Sequence, residues 1–303
     1  YASLAYGQEN PLPAVSINTF NQDLSAYDAN THAVVLQEFG RTELMVLDSE
    51  NALRVVHDYA VRIKILDKEG FDEANFKIPL YIFGSNAEYM ESISGVTYNL
   101  EGTQITKTPL SSKAIFKEKY SEFMEFSKFT LPDIREGSII EVRFRLHSPD
   151  IFNFRKWEFQ SNIPKIQSSY TAIMPATFQY KVLLVGPYQL KDTKSEILRD
   201  HFLLNGRRTD CSKLTYTMDD IPAFTEERFM LSKKNYISAI NFELEVYYDY
   251  NGVKKELTKK WNDIDRELML EKSFGGQLKK DNLFKEHVSA IANKAQTDLQ
   301  KAK

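Results

Sequence analysis

Apolar and polar residues alternate with period two along most of this chain. In "VVHDYAVRIKIL" (55–66), Tyr59, Val61, Ile63 and Ile65 fall on one side, and Asp58, Ala60, Arg62 and Lys64 on the other. Alternation of that length predicts a half-buried antiparallel strand. "LPDIREGSIIEVRFRLHSP" (131–149) reads as a turn punctuated by Pro132 and Gly137, then a strand. Its inward row is Ile140, Val142, Phe144 and Leu146, and its other row is Glu141, Arg143, Arg145 and His147. "THAVVLQEFGRTELMVL" (31–47) reads as two short strands around a turn at Phe39 and Gly40. "SGVTYNLEGTQITKTPL" (94–110) is a hairpin turning at Glu101 and Gly102. "AINFELEVYYDYNGVKKEL" (239–257) is another, with an Asn251-Gly252 pair that suits a type I′ turn. In 111–132, Phe116, Tyr120, Phe123 and Met124 suit a helical face, whereas the aromatic content suits strands, and both readings stand.

Past Leu257 the period becomes helical. One helix is expected from a cap at Asn262 or Asp263 to Gly275-Gly276, with Trp261 as a staple against the sheet. A second opens at Asp281 and carries a stripe of Phe284, Val288, Ile291, Ala292, Ala295 and Leu299. That stripe meets no stop signal, which reads as a chain interrupted before a further domain. The expected fold is therefore mainly β, with two antiparallel β-sandwich-like lobes followed by C-terminal α-helices. The expected divisions are an extended arm at 1–25, a first lobe at 26–155, a second at 156–257 and the helices at 258–303. The lobe boundary rests on the polar, proline-containing stretch after residue 150.

Composition narrows the function. Of 303 residues, 42% are hydrophobic and 27% charged, with a net charge of -3, so there is no basic field to recruit nucleic acid or an anionic bilayer. No run reaches the roughly 20 apolar residues of a membrane span. Cys211 is the single cysteine, which excludes an intrachain disulfide without fixing a compartment. Small residues around Ala5 to Gln8 fit the tail of an export signal, and equally a truncated start.

Chemistry-bearing patterns are scarce. Cys211 stands before a strand, with no base placed beside it by any pattern. The five histidines lack metal-ligand spacing, and no phosphate-binding loop or GxSxG elbow occurs. No catalytic residue, metal or cofactor is expected. Trp157, Tyr247, Tyr250 and Trp261 are candidate sugar platforms, and Trp157 serves equally as a core anchor. The row Glu141, Arg143, Arg145 and His147 reads first as the solvated side of a sheet. Its functional reading is a recognition face, in which Arg143 and Arg145, one pleat apart, meet a carboxylate-rich partner.

An ordered set of segments adds a resemblance: "AYDANTHAVVLQEFG" (26–40), "RVVHDYAVRIKILDKEGFDEANFKIPL" (54–80), "FTLPDIREGSIIEVRFRLHSP" (129–149), "WEFQSNIPKIQSSYTAIMP" (157–175), "MDDIPAFTEERFM" (218–230) and "KKWNDIDRELMLEKSFGGQLKK" (259–280). Together they resemble the β-rich domain of unknown function that precedes a transglutaminase-like domain in many secreted bacterial proteins. The resemblance implies a pair of sandwich-like lobes, followed in longer relatives by a papain-like domain with a Cys-His-Asp triad and then a small β domain. Cys211 does not match the nucleophile position, so no catalytic residue carries over. The expected function is a non-catalytic accessory or interaction module, exported to the periplasm or cell surface. Its expected partners are the downstream domain of the same protein and an envelope protein or glycan. The alternative is a carbohydrate-binding β-sandwich, with Trp157 as platform.

Overall fold

The computed structural model describes residues 12–25, 27, 30–47, 52–152, 154–204, 206–248, 252–257, 260–280, 282, 284–295 and 297–302. The proposed signal remnant, Tyr250, Asn251 and Asp281 lie outside these residues. The chain divides into two compact units, 1–255 and 256–303.

After a short helix α1 (Ile17–Phe20), the first unit is built from strands. These are β1 (Ala33–Leu47), β2 (Ala52–Ile65), β3 (Asn75–Phe83), β4 (Asn86–Ala87), β5 (Tyr89–Glu101), β6 (Gln104–Pro109), β7 (Phe116–Lys119) and β8 (Met124–Thr130). There follow β9 (Ile139–Ser148), β10 (Trp157–Glu158), β11 (Lys165–Pro175), β12 (Phe178–Val185), β13 (Asp192–Leu204), β14 (Arg207–Ile221) and β15 (Ala239–Tyr248). The last strand, β16 (Lys254–Glu256), pairs with β15.

Eight of these strands make one sheet in the order β13-β14-β11-β1-β2-β9-β5-β6. The expected boundary at 155/156 falls within it, because β11 of the supposed second lobe lies beside β1 of the first. That pairing is parallel, with Glu38 opposite Ser168 and Gly40 opposite Tyr170. The proline-containing stretch is therefore a crossover into the same sheet rather than a linker between lobes. Residues 116–124, open in the sequence, run through β7 into the start of β8.

Two smaller sheets cover one face of the large one. The sheet β4-β3-β8-β7 contributes Ile78, Leu80 and Phe129 to a buried cluster with Val61, Ile63, Ile140, Val142, Phe144 and Leu146. The inward rows read from the alternation are thus the core rows. The sheet β10-β15-β12 meets the neighbouring part of the same face through Trp157 and Phe242, whose rings approach Tyr170 at 5.2 and 5.6 Å. Gly40 does not make the expected turn: β1 runs unbroken through it. A Cβ on Gly40 would lie 2.2 Å from Cζ3 of Trp157. The glycine is there because the indole lies against the strand backbone.

The opposite face is not simply wet. Part of the expected extended arm lies on it: Leu12 and Phe20 are buried, Arg62 donates to the Pro13 carbonyl, and Lys64 donates to the Phe20 carbonyl.

The second unit holds α2 (Trp261–Leu270), α3 (Lys285–Lys294) and α4 (Asp298–Ala302). The single long helix expected after residue 281 is broken at Ala295, which has extended backbone. Trp261 is 80% exposed. Among the described residues, no helix is long and apolar enough to cross a membrane.

Candidate functional site

The row singled out on β9 faces away from the small sheets, and its members differ. Glu141 is buried and accepts from Nε of Arg62 at 2.8 Å; that guanidinium also donates a second bond to it. Arg143 donates to the other carboxylate oxygen of Glu141 at 3.1 Å, and the Tyr98 hydroxyl donates to the same oxygen at 3.3 Å. Arg145 grips Asp58 of β2 in a two-pronged pair at 2.6 and 2.9 Å, which raises the guanidinium pKa further. His147 is buried, stacked on Tyr89 and bonded to Glu91. Further along, Glu43 accepts from Arg41 and contacts His201 of β13 at 2.6 Å. The expected solvated row is instead a lattice of matched charges, partly roofed by residues 12–20. Its arginines are already paired, so a carboxylate partner would have to displace Asp58 and Glu141.

Trp157 lies on the other face. It is 4% exposed, which removes it as a sugar platform. Its indole N–H donates to Ser168 Oγ at 3.0 Å, and Ser168 donates to Glu38 at 2.7 Å. Lys165 at 2.6 Å and the Tyr59 hydroxyl at 2.9 Å also donate to Glu38. Burial, with the Glu38 charge beside it, holds the Tyr59 phenol well above its usual pKa. This chain of donors, spanning β1, β2, β10 and β11, fixes the parallel seam.

Reactive groups are sealed or muted. Cys211 is buried, and burial with nearby Glu43 and Asp210 pushes its pKa up to about 12. A hydroxyl meets an imidazole at Thr42 and His57, 2.8 Å apart, but both residues are buried, and desolvation lowers the His57 pKa to about 3. Such a histidine is a poor base. Among the described residues, one set fits a metal by proximity: His32, Asp67 and Glu69, whose ligand atoms lie within 4.8 Å of one another. It is partly exposed, and the His32–Asp67 hydrogen bond at 2.8 Å already accounts for its geometry.

A concave feature lies elsewhere among the described residues. A surface cleft of about 510 Å³ is lined by residues including Gln160, Tyr188, Phe224 and Tyr236. None of these was singled out from the sequence, because they come from separate segments with no shared motif.

The DUF3857 family, a domain of unknown function with a solved structure, matches residues 51–225. The chain belongs to this family. No curated protein matches it in sequence. This DUF3857 chain superimposes on the crystal structure of a "putative protease" from Parabacteroides distasonis ATCC 8503 with a TM-score of 0.56 and 11% identity, over 89% of its own length. It spans 48% of that longer chain. The crystal structure of a "putative nutrient binding protein" from Legionella pneumophila is matched at 10% identity with a TM-score of 0.28, over 69% of this chain and 67% of that one. At these identities the first likeness concerns the fold alone.

Proposed function

We propose that this DUF3857 chain is a non-catalytic accessory module of an exported bacterial transglutaminase-like protein, where it positions or selects partners for a catalytic domain. The observation that carries this reading is the muting of its reactive groups: a sealed thiol with a pKa of about 12 and a sealed hydroxyl–imidazole pair whose base titrates near 3. The length relation to the Parabacteroides structure supports an accessory role, since half of that chain lies outside the shared fold. Export to the periplasm or cell surface belongs to the same proposal and rests on the family resemblance.

The test is to incubate the purified chain with peptide, amide, ester and glycoside substrates. No turnover above buffer is expected. Turnover that co-purifies with the chain and disappears in Cys211→Ala or His57→Phe would overturn the reading. A second arm compares the full-length protein with a version lacking this module. Loss of substrate or partner preference is expected, with the chemistry itself retained. A carbohydrate-binding role is favoured by a separate observation, the uncharged aromatic cleft at Tyr188 and Tyr236.

A further inference from the structure

The cleft's chemistry departs from that of the rest of the surface. Although 27% of the chain is charged, no charged side chain lines it. Three aromatic residues, Tyr188, Phe224 and Tyr236, stand with Asn235, Thr225 and Gln160 around about 510 Å³. That volume lies within the roughly 300–1,000 Å³ typical of small-ligand sites. Tyr188 and Tyr236 are 38% and 44% exposed, so their rings are open to contact. Neither phenol hydroxyl, nor the Asn235 amide, has a partner among the described residues.

One wall is held rigidly. Ser238 is fully buried; its carbonyl accepts from Phe159 N–H, and its hydroxyl accepts from Tyr188 N–H at 3.2 Å. Gln160, also buried, donates to the Pro222 carbonyl at 3.2 Å and accepts from Ser238 N–H at 3.4 Å. Gly186 has φ +93°, and a Cβ there would sit 2.4 Å from the Ser238 Cα, so the chain turns tightly at the rim. Phe224 is tied to the same wall by its N–H to the Ser161 carbonyl at 2.8 Å. Two of the three aromatic residues, Tyr188 and Phe224, are therefore hydrogen-bonded to this wall through their backbones.

What fits is set by elimination. A phosphate or carboxylate would find no cation here to offset its desolvation. An acyl chain would bury two phenols, an amide and a hydroxyl without partners. The free groups are hydroxyls and an amide that both donate and accept, which matches sugar hydroxyls that do the same. Aromatic faces match the apolar C–H faces of pyranose rings. We infer that this cleft binds neutral saccharide units of a glycan. The inference deepens the carbohydrate-binding reading and does not rest on the accessory-module reading, which is judged by turnover and by loss of partner preference when the module is removed.

The experiment is isothermal titration of the whole 303-residue chain with neutral trisaccharides of glucose, mannose, galactose and N-acetylglucosamine. At least one is expected to bind. Tyr188→Ala and Tyr236→Ala should each weaken binding about tenfold, equivalent to 1.4 kcal/mol at 25 °C. Tyr188→Phe and Tyr236→Phe, which retain the rings, should lose less, and Trp261→Ala should change nothing. Circular dichroism and melting midpoints confirm that each variant is folded, with Asn235→Ala as a further lining variant should an aromatic replacement fail to fold. Binding of none of the sugars, binding indifferent to all the lining variants, or binding of a decaproline peptide in place of the sugars overturns the inference.

Discussion

The two faces of the eight-stranded sheet use the same strands and opposite means. On one face Val61, Val142 and Leu146 disappear under two smaller sheets, and cohesion comes mainly from apolar burial, with the buried charge of Glu38 confined to the β1–β11 seam. On the other, Arg62, Glu141, Asp58 and Arg145 interlock as ions, and a short polypeptide strap supplies part of the roof. A dry face tolerates a lost contact in proportion to the volume removed. A matched ionic face is asymmetric: the intact pair adds little, while a broken pair leaves a stranded charge. The same strands thus carry two kinds of fragility.

That contrast can be broken first at its most buried ion pair. Arg62→Ala removes both guanidinium bonds to one oxygen of the buried Glu141, leaving it only Arg143 and Tyr98 on the other, and should destabilise the chain by about 3 kcal/mol in urea titration, whereas Arg62→Met with Glu141→Leu should cost clearly less. A double replacement as damaging as the single one would mean that this face coheres by something other than charge matching.

The next effect is on pH dependence. His57 lies on the apolar face, and desolvation, with Arg155 nearby, lowers its pKa to about 3. The unfolded chain, with a pKa near 6.5, binds the proton that the folded chain refuses. Its contribution is complete above pH 6.5 and is lost as the pH falls toward 3, at up to about 1.4 kcal/mol per pH unit. Urea midpoints between pH 7 and 4.5 should fall less steeply in His57→Phe than in the parent. Parallel slopes would show that His57 does not titrate in this way.

Third is Gly40→Ala, which drives a methyl into the Trp157 ring and should cost about 1–3 kcal/mol, read from the thermal midpoint. The smallest effect belongs to the edge of the charged face. Arg143 is part-exposed and bonds a Glu141 that Arg62 already satisfies, so Arg143→Ala should stay within about 1 kcal/mol. A loss as large as that of Arg62→Ala would erase the distinction between centre and rim.

Strand existence and inward rows were legible because alternation reports burial on one side, as with Val61, Ile63, Val142 and Leu146. The opposite side was misread because Arg62 and Glu141 look the same in sequence whether they meet water or each other. Pairing partners 79 positions apart leave no local trace. The parallel seam was hidden for the same reason, and a crossover rich in polar residues looked like a linker. Gly40 was read through its freedom to turn, when its lack of a side chain mattered. Trp157 read from the sequence as a sugar platform and as a core anchor alike; its burial between the sheets decides for the anchor. The cleft residues Tyr188, Phe224 and Tyr236 converge from separate segments, so no motif could announce them.

The seam between β1 and β11 also has a consequence for how the chain is made. Glu38 and Ser168, neighbours across it, are separated by 130 positions. Ribosomes release about 5–20 residues per second, so β1 waits on the order of ten seconds for this partner. Throughout that interval the strand carrying Val34, Val35 and Leu36 presents one open edge, the kind that recruits foreign strands. Closing so long a loop is also slow once both strands exist. The birth of this module, more than its finished stability, is where a chaperone would matter most.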